Sequence, residues 1–94
     1  MATLGGFTLE TRISAQVVKE KSYDPNFIVN VSYDDGNIRF SNELITVLRK
    51  PPKVNIEYSE HIKQIMGEID IAKIELEVMK AIVEYLLSYL GDRR

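Results

Sequence analysis

Few residues in this 94-residue sequence are of a type and spacing that do chemistry. His61 is the only histidine and cysteine is absent, so a zinc or thiolate site lacks a ligand set. Glu57, Glu60 and Glu68, the acidic neighbours of His61, make no recognised metal-binding pattern. Asp34, Asp35 and Asn37 crowd oxygens around Gly36, but the later bidentate glutamate of a calcium loop does not follow. These residues read as a turn. No serine sits in a nucleophile elbow, and one histidine leaves little choice of general base. Glu75 is the carboxylate to weigh. On a helix its neighbours Ile71, Ala72, Val78, Met79 and Ile82 are all apolar, and burial there would raise its pKa toward acid–base work. An ion pair with a lysine of a second helix is the simpler role. The residues therefore point to no catalytic group, no metal, no cofactor and no small-molecule substrate.

Positive charge is concentrated in "RKPPK", at Arg49, Lys50 and Lys53, with Arg93 and Arg94 far along the chain. Two prolines stiffen that loop, and with Tyr23 or Tyr58 stacking on bases it would grip phosphates. The chain as a whole carries a formal charge of −2, which gives no blanket attraction to nucleic acid or to an anionic membrane. A nucleic-acid-binding module using residues 49–53 is thus the alternative reading.

The elements that would position these residues follow from periodicity. Phe7, Leu9, Thr11, Ile13, Ala15 and Val17 alternate with polar residues, as a half-buried strand does. "KSYDP" ends it with turn chemistry. Phe27, Val29, Val31 and Tyr33 form the next apolar face, "DDGN" a short loop, and Ile38 and Phe40 resume the alternation. Strand, loop and strand together predict a β-hairpin, with Gly36 at positive φ. "SNELITVLRK" reads as either a short helix capped by Ser41 or a strand; its β-branched Ile45, Thr46 and Val47 favour the strand. Pro51 and Pro52 interrupt regular structure, and Val54, Ile56 and Tyr58 alternate as a last strand.

From Ser59, a good N-cap, the period changes. Ile62, Ile65, Ile69, Ala72, Leu76, Met79, Val83, Leu86 and Leu90 recur at steps of three and four. The stripe stays in phase across Gly67, which predicts one helix over about 59–90, ended by Gly91. A second apolar stripe, Ile71, Ile74, Val78, Ala81 and Tyr85, lies nearly opposite, and between them runs a polar seam of Asp70, Lys73, Glu77, Lys80 and Glu84. One sheet covers one face, and a chain of this size has nothing left for the other. Length gives the same answer: about 31 helical residues span roughly 46 Å, against roughly 32 Å for a compact domain of this size.

The expectation is a single α+β domain over residues 1–94, with four or five antiparallel strands within 6–58 and then one long C-terminal helix. That helix packs on its own sheet and on a partner subunit, another copy of the chain. The predicted interface is Ile62, Ile65, Ile69, Leu76, Met79, Val83, Leu86 and Leu90, with Glu75 and Lys80. In a parallel pair Glu68 would approach the partner's Lys73, and Glu75 the partner's Lys80. The function expected is a non-enzymatic interaction or structural module. The apolar content of 45% and charged content of 28% suit a globular protein. Lack of cysteine suits a cytoplasmic setting, and "MATLGGFTLETR" does not read as a signal peptide. No apolar run approaches the roughly 20 residues of a membrane span, and abundant Ile, Val, Glu and Lys suggest a hot environment.

Overall fold

The computed structural model describes residues 11–50 and 52–92, with side chains as far as Ser88. Four strands, β1 (Arg12–Val17), β2 (Asn26–Asp34), β3 (Arg39–Lys50) and β4 (Lys53–Glu57), precede two helices, α1 (Glu60–Ile65) and α2 (Ile71–Asp92). The strands form one antiparallel sheet in the order β1-β2-β3-β4. The fold is therefore the expected α+β arrangement of a four-stranded sheet and a long C-terminal helix. The portion of the first predicted strand that holds Phe7 and Leu9 lies outside the described residues. None of the described helices is long and apolar enough to cross a membrane.

The sheet buries one face. Phe27, Val29, Val31 and Tyr33 of β2, with Phe40, Ile45 and Val47 of β3, make the core with Ile62 of α1 and Ile74, Val78 and Ile82 of α2. The hairpin predicted around "DDGN" is present, and Gly36 has φ 90°. Its loop is tied by short side-chain bonds: Asp34 Oδ1 accepts from the Gly36 N–H at 3.0 Å, and Asp35 Oδ1 from Asn37 and Ile38 at 2.8 and 2.7 Å.

"SNELITVLRK" belongs wholly to β3. Its ambiguity has a structural cause. The register between β2 and β3 shifts between Val31 and Tyr33, where Asn42 takes the left-handed conformation with φ 58°. This bulge moves the core-facing positions from the even parity of Phe40 to the odd parity of Ile45 and Val47. A strand that changes parity loses its alternation in the sequence.

The single helix predicted from Ser59 is instead two. Ser59 caps α1, its Oγ accepting from the Ile62 N–H at 3.3 Å. A 3-10 turn (Met66–Glu68) follows, and Ile69 is extended with φ −126° and ψ 165°. Asp70 restarts the helix: its Oδ1 accepts from the Lys73 N–H at 3.1 Å and its carbonyl from the Ile74 N–H at 3.1 Å. An aspartate satisfying a free first-turn N–H favours a new helix start over continuation. The apolar stripe stays in phase only because both helices and the turn lay Ile62, Ile65 and Ile69 on the same core.

Candidate interaction surface

α2 carries two apolar faces, and its own sheet takes one. Ile74, Val78 and Ile82 are fully buried, Ile71 and Tyr85 pack beside them, and the helix lies mainly over β1 and β2. Tyr85 meets Phe27 edge to face, with ring centroids 6.2 Å apart. The opposite face is open. Leu76 is 58% exposed, Val83 49% and Leu87 64%, spaced by two helical turns and then one along the same face. With Met79, Lys80 and Glu84, Leu76 and Val83 line a shallow apolar groove along the helix. A second groove of about 350 Å³ runs between α2 and β4, lined by Val54, Ile56, Tyr58, Glu75 and Met79.

The residues expected at an interface divide accordingly. Leu76 and Val83 line the open face, and Met79 lines it while also packing against the core. Ile62 is fully buried in the core of its own chain, and Ile65, Ile69 and Leu86 pack against that core. The first three belong to α1 and the segment after it, which the break before Asp70 separates from α2, and Leu86 lies on α2 itself. The Leu90 side chain lies outside the described residues. The break also removes Glu68 from the heptad that would set it near the partner's Lys73, since Glu68 sits in the 3-10 turn.

The charged positions have partners within the chain. Tyr58 Oη donates to Glu75 Oε2 at 2.6 Å, so the carboxylate in its apolar surroundings is satisfied by a tyrosine of the strand end. Burial, and then the Glu75 carboxylate, push the Tyr58 hydroxyl pKa well above its ordinary value. Lys80 Nζ stands 3.6 Å from Glu77 Oε2, one turn away.

A polar cluster that the sequence reading missed joins β3 to α1. Glu43 Oε1 accepts from Ser59 Oγ at 2.7 Å, and Glu43 Oε2 lies 2.9 Å from His61 Nδ1. His61 in turn stands edge-on to Phe40, with ring centroids 6.0 Å apart. His61, then Ser59, hold the Glu43 carboxyl below its ordinary pKa, and burial opposes them. Serine, histidine and glutamate are here together, but the serine proton points to the carboxylate and not to the imidazole, which is the wrong order for activating a nucleophile. The cluster fastens a helix start. Only the spacing of Ser59 and His61 was visible in the sequence; Glu43 is brought in by the bulge-shifted β3.

A second tie links the hairpin loop to α2. Tyr33 Oη donates to Asp35 Oδ2 at 2.7 Å and accepts from the Asp70 N–H at 3.1 Å. The Ile38 N–H, the Tyr33 hydroxyl and the Asn37 N–H keep the Asp35 carboxyl below its ordinary pKa, while burial raises that of Tyr33.

The basic loop does not converge. Lys50 pairs with Lys53 and Arg49 with Val54 across the β3–β4 ladder. Arg49 therefore stands on the inner face of the sheet and the two lysines on the outer face. Among the described residues no group of three or more histidines and carboxylates gathers to hold a metal ion.

These features define a class by architecture: a two-layer α+β domain with an antiparallel meander, one covering helix and an apolar helix face left open. No family model matches the chain, and neither the curated proteins nor the solved structures give a match.

Proposed function

We propose that this chain is a non-enzymatic interaction or structural module, cytoplasmic in setting, that assembles with copies of itself through the outer face of α2. The observation that carries the reading is the open stripe of Leu76, Met79 and Val83, extended by Leu87, on a helix whose other face is committed to its own core. Contiguous apolar surface of this kind marks an interaction site. Burying each large aliphatic side chain contributes roughly 1.5–3 kcal/mol, and a small domain gains much from covering several. The engagement of His61 and Ser59 with Glu43, and of Glu75 with Tyr58, favours a structural role for the groups best suited to catalysis. Arg49 on one face and Lys50 and Lys53 on the other make a poor phosphate grip, so no binding to mixed nucleic acid is expected even at low salt.

Light scattering tests the assembly. The wild type should run as a dimer or larger at micromolar concentration, and Leu76→Lys should lower the mass to one chain. Glu20→Lys, in the exposed turn after β1, should leave it unchanged. A monomeric wild type, or a Leu76→Lys variant of unchanged mass, refutes the reading.

A further inference from the structure

Among the described residues the sheet ends at β1 on one side and at β4 on the other. Among the described residues no strand pairs with the outer edge of β4. The groups that face outward there follow from the ladder. The Arg49 N–H donates to the Pro25 carbonyl at 2.8 Å, so the backbone of Arg49 faces β2 and that of Leu48 faces β4. Leu48 is opposite Asn55. Alternation along an antiparallel pair then turns the backbone groups of Lys53, Asn55 and Glu57 toward β3, and those of Val54 and Ile56 outward. Val54 and Ile56 thus present outward N–H and C=O groups that no strand among the described residues takes up, while their side chains share the inner face with Val47 and the groove beneath Met79.

We infer that this edge docks on β4 of a second copy, the two strands running antiparallel about a two-fold axis at Asn55. This rests on the self-assembly proposed above and specifies how the copies meet. Centred on Asn55, the pairing sets Val54 opposite the partner's Ile56, and Ile56 opposite the partner's Val54. All the outward backbone groups of the two residues then bond across the seam. On the outer face, Lys53 stands opposite the partner's Glu57, and Glu57 opposite the partner's Lys53. An exposed lysine on an edge strand ordinarily discourages pairing; here the strand carries the acidic residue that answers it at the one register using its whole length. Sliding the axis one residue toward either end sets no lysine opposite a glutamate. Beneath the seam, Val54 and Ile56 from both copies make one apolar strip, roofed by Met79 from each α2. The inner side of β4 is the part of the sheet that α2 leaves least covered, with Val54 42% exposed. A second copy completes both layers.

Light scattering and dilution series on five variants decide the matter. Val54→Pro removes an outward N–H and no internal bond, as an edge strand tolerates. It should keep the wild-type circular dichroism spectrum and weaken dimerisation about tenfold or more. Lys53→Glu and Glu57→Lys, each setting like charges face to face, should weaken it about three- to tenfold. The double variant should return to near wild-type affinity, which fixes the register even if Val54→Pro fails to fold. Leu76→Lys should dissociate the assembly in any case. If Leu76→Lys dissociates it but the β4 variants do not, the edge pairing is refuted and the helix interface stands. Single charge variants of unchanged affinity refute the Asn55-centred register. A wild type that is monomeric at every concentration, its edge bare or covered by its own residues 1–10, refutes both.

Discussion

Glu43 does the work of several residues. One carboxylate receives the Ser59 hydroxyl and the His61 ring, and Ser59 at the same time caps α1. Its pKa is depressed by folding, so its contribution to stability is complete above the ordinary glutamate value and is lost as pH falls through the lower folded value. Glu43→Gln should therefore lower stability by about 1 kcal/mol near neutrality, the site being partly solvated. The gap between wild type and variant should close on acidification. Urea titrations at several pH values check this; a gap that widens in acid would show the sign to be wrong. Gly36, with φ 90°, sits where a side chain is strained, and Gly36→Ala should destabilise by roughly 1 kcal/mol or more. A neutral result in the same titration would mean the loop relaxes around the new methyl group.

Among the elements, the hairpin and the last strand were legible because one wet face preserves alternation: Phe27, Val29, Val31 and Tyr33 face the core while Asn30 and Ser32 do not. β3 was harder to read because the bulge at Asn42 reverses that alternation midway. The break in the helix was hidden for a different reason. Ile62, Ile65 and Ile69 are core residues on either account, and periodicity records burial without recording whether the backbone between them stays helical. Periodicity likewise revealed two apolar faces on α2 but not which one its own sheet would take; Ile74 and Val78 won the core, and Leu76 and Val83 did not. Asp70, read as part of a polar seam, proves to be a cap. Gly67 is dispensable by comparison: a methyl group there meets open space. Thermal melts should show Gly67→Ala stabilising by about 0.4–1 kcal/mol and Asp70→Ala destabilising by about 0.5–2 kcal/mol. A loss of stability in Gly67→Ala would place the cause of the break at the glycine instead.

For the whole molecule, the groove on the outer face of α2 and the groove between α2 and β4 adjoin at Met79, which lines both. If the copies meet at these surfaces, the protomer's stability depends on its concentration. A melting temperature that rises across a dilution series from low to high micromolar is the expected result; a constant one would indicate a self-sufficient protomer. The strand order β1-β2-β3-β4 bears on how such a molecule comes into being. Every strand lies against its neighbour in the chain, so the sheet closes only short loops, and low contact order favours rapid folding. The sheet can thus be complete before a second chain is encountered. Refolding followed by tyrosine fluorescence should show a fast phase whose rate ignores protein concentration. A slower phase, accelerating with concentration, should follow as the copies meet.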